Sequence, residues 1–316
     1  MTSIPQWLPS DTGDYVLEAQ LPLKYRLLRW LGRQTWIYRG HDQLLRLLYD
    51  PDANKHFKFE IGFFGQRYRG DLGHFIDWNV FCYGSYAYNE LLLLSDIARE
   101  LKTLRPAPIS FFDVGANVGN HTLFMAPHVD KVFAFEPFAL VRAFIEDKIA
   151  LNGLTNVIIF PFALGETDGD VPYFPASDGN SGAGTLIENR LNTTADPAIV
   201  QIRRGDSFLK KESLPRIDII KADVEGFEAF VFRGLSDRIR QDKPAILLEI
   251  SDDSREGFGS EHAFKHAFYE GALFAEVTGS NGRPYKLKPF NYGAAAEVLV
   301  MPPEMSGLMK RLSQNA

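Results

Sequence analysis

Phe111-Phe112-Asp113-Val114-Gly115-Ala116-Asn117-Val118-Gly119-Asn120 reads as a buried strand that ends at an acid and turns through two glycines into a helix. Seventeen residues past Gly119, the apolar run Val132-Phe133-Ala134-Phe135 gives way to Glu136-Pro137. A strand, a glycine turn, a helix and a second strand closed by an acid form the first half of a dinucleotide-type α/β fold. Such a fold holds several nucleotide-like ligands, so the turn itself has to discriminate among them.

A nicotinamide site needs G-x-G-x-x-G, because a pyrophosphate must approach backbone N–H groups at a helix start. Begun at Gly115, that pattern asks for glycine at 117 and 120, where the chain has Asn117 and Asn120. A P-loop asks for lysine after its second glycine, and none follows Gly119. What stands here is acid-x-Gly-x-x-x-Gly, with Asp113 at the strand end. An acid there repels phosphate and suits a cationic ligand with an ammonium group, such as S-adenosylmethionine. Glu136 would then accept the two ribose hydroxyls. A ligand-free turn and a nicotinamide or flavin site are the competing readings.

The 316 residues suffice for one large α/β domain with an N-terminal extension, or for two small domains. A hydrophobic content of 45% supports a substantial core, and a net charge of −6 argues against a general nucleic-acid binder. Cys82 is the only cysteine, which excludes an intrachain disulfide and fits a reducing compartment. The first residues lack a signal peptide's basic region and apolar core, and no run approaches a membrane span. The expectation is a cytoplasmic protein.

Residues 1–105 read as an N-terminal extension or cap, and 106–316 as the ligand-binding domain. Pro22 to Leu48 reads as helical, interrupted near Gly40, and is locally basic through Lys24, Arg26, Arg29, Arg33, Arg39 and Arg46. Such a segment suits peripheral contact with an anionic membrane over 22–48, an acidic substrate, or a solvated face packed on its own domain. Short strands are expected near 57–59 and 66–68, and a helix from Asn89 to Leu101. In the core, strands fit 110–114, 132–136, 157–160, 217–221, 245–250, 272–277 and 296–301. Helices fit 119–127, 138–151, 226–233 and 261–270. The alternation breaks over about 165–205, where strand-like runs flank the glycine-rich Asp178–Gly184. That break reads as a β-insertion bordering the acceptor site, or as decoration.

Taken together, the motifs resemble the FkbM-type family of S-adenosylmethionine-dependent methyltransferases. The matching pieces are Phe112 to Gly119, Phe135-Glu136-Pro137, Asn156-Val157 leading to Ala163-Leu164-Gly165, and Ile219-Ile220-Lys221-Ala222-Asp223-Val224-Glu225-Gly226-Phe227-Glu228. The last is the most specific. Upstream, Tyr83-Gly84-Ser85-Tyr86 is similar to an element that precedes the family's core, with Ala87 where glutamate is usual. The resemblance implies a class I methyltransferase (Rossmann-like) fold: a seven-stranded, mostly parallel sheet of order 3-2-1-4-5-7-6 whose last strand is antiparallel. It implies S-adenosylmethionine as cofactor and O-methylation of hydroxyls on sugars, glycolipids or polyketide-type natural products. It assigns Asp113, Gly115, Ala116, Asn117 and Gly119 to the cofactor turn and Glu136 to the ribose. Phe162, Ala163 and Leu164 would edge the adenine, with a backbone N–H near Ala163 as the contact.

Methyl transfer to an alcohol needs an aligned acceptor oxygen and a group to take its proton. Candidates belong at the C-terminal ends of the parallel strands. Asp223 is read as base or substrate anchor, Glu225 as catalytic or as a helix cap, and Glu228 as a cap. His121, in the first helical turn, is either a neutral proton acceptor or an ordinary packed histidine. His262 and His266 share a helix face after the loop Ser251–Gly257. Lys221 is read as a carboxylate anchor. Asp223 and Glu249 end adjacent strands, but no metal is assigned. The acceptor is a small molecule or glycan, and a non-catalytic cofactor-binding protein is the remaining alternative; oligomeric state is not readable.

Overall fold

The computed structural model describes residues 15–34, 40–51, 56–174, 184–186, 197–279 and 284–314. Its first strands form a small sheet of order β1-β2-β3, with β1 at Val16–Leu17, β2 at Lys58–Phe63 and β3 at Gln66–Asp71. The helices Leu23–Gly32, His41–Leu48, Phe75–Tyr83 and Tyr88–Leu104 complete this N-terminal part. The helical stretch expected from Pro22 to Leu48 with an interruption near Gly40 is two helices, the second capped by Gly40, and residues 35–39 lie outside the described part.

The central sheet takes β4 (Ser110–Val114), β5 (Lys131–Phe135) and β6 (Val157–Phe160) first. An insertion follows, made of β7 (Ala163–Gly165), β8 (Gly169–Tyr173) and β9 (Ala198–Arg204), which form their own sheet of order β7-β9-β8. The chain then returns through β10 (Ile219–Ala222), β11 (Ala245–Ile250), β12 (Leu273–Thr278), β13 (Lys286–Pro289) and β14 (Ala296–Met301). The large sheet runs β13-β12-β14-β11-β10-β4-β5-β6. Strands β6, β5, β4, β10 and β11 are mutually parallel, and β14 is antiparallel to both of its neighbours. Without β13 this is the expected order 3-2-1-4-5-7-6, and β13 adds an eighth, antiparallel edge strand that the polar Lys286-Leu287-Lys288-Pro289 does not announce.

Central strands buried on both faces need apolar side chains at successive positions, and the sheet shows the consequence. Phe111, Ile219, Leu247 and Leu299 face a cluster shared with Leu28, Trp78, Leu91, Leu94 and Ile97 of the N-terminal part. Their sequence neighbours Phe112, Ile220, Leu248 and Val298 face the opposite cluster with Phe232, Phe264 and Phe268. The N-terminal part is therefore packed into one of the two core layers. Among the described residues no helix is long and apolar enough to cross a membrane.

Candidate active site

The site lies where the sheet order reverses, between β4 and β10, the switch point at which open α/β sheets bind ligands. Gly115 and Ala116 both donate their N–H to Phe135 O at 3.1 Å, which fixes the turn against the end of β5. Gly115 has φ +80°, and a Cβ there would lie 2.0 Å from Asp223 O, so only glycine lets the β4 and β10 loops touch. Asn117 also takes a positive φ, 52°, a conformation asparagine tolerates.

Glu136 is buried, and its carboxylate bridges two loops: Asn117 N donates to Oε2 at 3.0 Å and Phe138 N to Oε1 at 2.9 Å. Each oxygen keeps lone-pair capacity for a further donor. Burial, together with the nearby Asp113, outweighs those N–H bonds and raises Glu136 to about 7.

Two clefts meet at this turn. The first runs from the glycine turn and the end of β5 to the loop after β10. Its walls are apolar, with Phe135, Val141, Leu164, Tyr173 and Phe227, and among the described residues its charged lining is Glu136, Asp223 and Glu225, with no lysine or arginine. Tyr173 comes from the insertion and stacks on Phe138 at 4.7 Å between ring centroids. Thr185, on the same insertion, donates its hydroxyl to Glu225 O at 3.0 Å, so the insertion is tied to the loop after β10.

The second cleft is walled by Phe75, Ile76 and Tyr86 of the N-terminal part and by Ala116, Asn120, His121 and Lys221. It shares Gly115, Asn117, Asp223 and Glu225 with the first. Lys221 donates to Asp223 Oδ2 at 2.8 Å, and the surrounding Asp223, Asp113 and Glu90 push its ammonium upward against the cost of burial. It is thus the carboxylate anchor that its position suggests. Asn120 donates its amide N–H to Tyr86 O, but its buried Oδ1 has no hydrogen-bond partner. His121 Nε2 lies 3.3 Å from Glu90 Oε2 without forming an aligned hydrogen bond.

Asp223, Glu225 and His121, read as catalytic from the sequence, therefore all line the second cleft. Glu225 has φ +54°, a conformation costly for a residue with a side chain, and is followed by Gly226 at +95°, which glycine adopts freely; together they turn the chain at the cleft junction. Glu228 underpins this loop from below. Fully buried, it accepts from Val224 N at 3.0 Å, Gly226 N at 3.3 Å and Ser254 Oγ at 2.5 Å. It holds the loop that precedes the helix Glu228–Gly234 and does not cap that helix, whose N-terminus has no side-chain cap hydrogen bond.

Ala116 and Ala163 each line one cleft. Asp113 and Gly119, also placed at the cofactor turn from the sequence, line neither. The Asp113 carboxylate is fully buried beneath the turn, where Thr122 Oγ1 donates to Oδ2 at 2.6 Å. It lies beneath the turn and in the lining of neither cleft, and its buried Oδ1 has no hydrogen-bond partner. Gly119 packs against Ile145 at the start of the next helix. His262 and His266 are exposed and stacked on each other, lining neither cleft, and the expected loop before them is the helix Asp252–Phe258. Asp178 to Ala183 lie outside the described residues.

Three further carboxylates gather here; Glu249 is expected from the sequence at the end of the strand beside Asp223, whereas nothing singles out Glu90 or Glu297. Glu90 enters from the first turn of Tyr88–Leu104. Glu249 and Glu297 stand opposite each other on β11 and β14. Burial and the neighbouring Asp223 raise Glu249 to about 8. Burial, then Glu90 and Asp223, push Glu297 upward as well. No local motif marks Glu90 or Glu297; packing of the helix Tyr88–Leu104 brings the first toward Lys221 and the sheet order the second. Among the described residues no group of side chains is arranged to hold a metal ion.

Comparison with known proteins bears on this arrangement. A hexuronic acid methyltransferase, AglP of Haloferax volcanii, is 27% identical over 142 residues, which are 44% of this chain and 54% of that protein. The methyltransferase sdnD of Sordaria araneosa is 27% identical over 184 residues, 48% of this chain and 69% of the other. The antimetabolite synthetase AmbE of Pseudomonas aeruginosa is 25% identical over 202 residues, but these are only 9% of its length. The crystal structure of an FkbM methyltransferase from Methylobacillus flagellatus superposes with a TM-score of 0.42 and 12% identity, covering 62% of this chain and 44% of that one. The sequence profile of the FkbM methyltransferase domain matches residues 113–275, more than half of the chain, from the acid under the glycine turn through β12. The protein belongs to the FkbM methyltransferase family.

Proposed function

We propose that the protein is an S-adenosylmethionine-dependent O-methyltransferase acting on a hydroxyl of a sugar, glycolipid or related natural product. The observation that carries this reading is the lining of the first cleft. Among the described residues, a buried carboxylate at the end of β5 faces apolar walls, with three acids and no lysine or arginine to receive a phosphate. That set fits an adenosyl group with two ribose hydroxyls and a positively charged tail. Glu136 would hold the hydroxyls, and Ala163 and Leu164 the edge of the base.

When bound, the cofactor supplies a methyl group on a sulfonium, which needs only a deprotonated, aligned acceptor. In the second cleft Asp223 is held by Lys221 and points at the junction, where it can orient an O–H or take its proton. His121, next to Glu90, is the other proton acceptor within the same walls. The partnerless Asn120 Oδ1 suits a ligand rich in O–H or N–H donors. Phe75 and Ile76 give the cleft an apolar side that excludes water.

The test is transfer of isotope-labelled methyl from S-adenosylmethionine into fractionated glycan, glycolipid and polyketide pools, with mass spectrometry of the product. The expected product is a methyl ether on a sugar hydroxyl. Label on nitrogen or carbon, or no label in any pool, would overturn the assignment.

A further inference from the structure

We infer that the helix Leu23–Gly32 is a docking surface for an anionic lipid bilayer. Seven of the eleven large apolar side chains exposed among the described residues fall within residues 17–48. On the helix itself Leu23 is 80% exposed, Leu27 47% and Trp30 56%. At 100° per residue these three lie within about 60° of one another, on the side opposite the buried Tyr25, Leu28 and Gly32. A helix that merely packs on its own domain is polar on that outer side. Here it is apolar on both.

The charges make the occupant specific. Exposed Arg26 and Arg33 flank one edge of the outer stripe and Lys24 the other, and the helix has no acidic residue. An apolar strip bordered by cations on both sides is the pattern of a helix lying in the headgroup region of an anionic leaflet. It stands out in a chain of net charge −6. A protein partner would meet the same strip with a complementary surface of its own, but nothing here marks a second chain.

The helix is also mechanically fixed, as a docking element must be. Arg29 donates to Phe81 O at 3.0 Å, and a Cβ on Gly32 would come within 2.4 Å of Cys82 O. The helix is thus locked to Phe75–Tyr83, whose first residues wall the second cleft. The following helix His41–Leu48, joined through a His41 Nε2 to Leu31 O contact of 2.9 Å, adds exposed Leu44, Leu47 and Leu48.

Flotation of the full chain with vesicles of 30% phosphatidylglycerol in phosphatidylcholine, against pure phosphatidylcholine, tests the inference. The expected result is binding to the anionic vesicles that weakens in high salt. Both Leu27→Glu/Trp30→Glu and Lys24→Glu/Arg26→Glu should reduce it by on the order of tenfold or more, with cofactor affinity unchanged. These positions are exposed and away from both clefts, so folding is retained. Failure to float with anionic vesicles, or equal flotation of both variants, would overturn it. So would sedimentation showing a dimer that Leu27→Glu/Trp30→Glu converts to monomer. The inference does not depend on methyl transfer: inactive protein that floats supports it all the same.

Discussion

At the scale of single residues, Asp223 and Glu249 separate chemistry from electrostatic background. Asp223 accepts from a buried lysine and faces both clefts, so Asp223→Asn removes the proton acceptor while keeping the shape. Single-turnover measurements should show kcat reduced by about 10²–10⁴, the usual worth of a general base, with cofactor affinity within about threefold. An unchanged kcat would pass the role to His121. Glu249 gives a stability test with a definite sign. Its carboxyl is raised from 4.5 to about 8, chiefly by burial and then by Asp223, so the folded state binds the proton more tightly than the unfolded state. The favourable contribution is complete below pH 4.5 and is lost as pH rises through about 8. Glu249→Gln mimics the protonated form. It should melt higher than wild type at pH 9, by on the order of 2–4 °C, and equally at pH 4. Residues of the glycine turn and of Lys221 to Glu228 were legible because strand, acid and glycine follow each other in the chain. Glu90 and Glu297 were not, since only the tertiary structure brings them there.

At the scale of elements, the loop after β10 is where positioning is concentrated. Its Glu225-Gly226 turn, strained at Glu225, is held from one side by Thr185 of the insertion and from beneath by Glu228. Glu228→Ala leaves two buried N–H groups and the Ser254 hydroxyl without their acceptor, at a cost of about 2–4 kcal/mol. Urea denaturation should show that loss, and kcat should fall although Glu228 touches no ligand. Glu228→Gln, which keeps one acceptor oxygen, should recover part of both. The insertion itself was visible as a break in the α/β alternation, and β8 and β9 fall on the strand-like runs near 171–174 and 199–202. The helix Asp252–Phe258 was missed because Ser251-Asp252-Asp253-Ser254 reads locally as a turn. It is instead a capping box, with Ser251 and Ser254 bonding reciprocally.

At the scale of the whole molecule, the N-terminal part and the sheet share one core layer and build the second cleft jointly. The sheet order was inferable because buried parallel strands are nearly continuous apolar runs, and Phe111-Phe112, Ile219-Ile220 and Leu247-Leu248 supply both faces at once. The wall formed by Phe75, Ile76 and Tyr86 was not, because nothing local in those residues refers to a sheet that follows them. Among the described residues, the first cleft is lined by three carboxylates and no lysine or arginine, Glu136 among them.

Calorimetric titration of S-adenosylmethionine and of its demethylated product probes that cleft most directly. Both ligands should bind wild-type protein, and Glu136→Ala should weaken each by about 10- to 100-fold, the worth of hydrogen bonds to a charged group. Because Glu136 is raised to about 7, wild-type affinity should climb as pH goes from 6 to 8, and Glu136→Gln should flatten that rise. No heat from either ligand, or an affinity indifferent to Glu136→Ala, would contradict the assignment of this cleft to an adenosyl methyl donor.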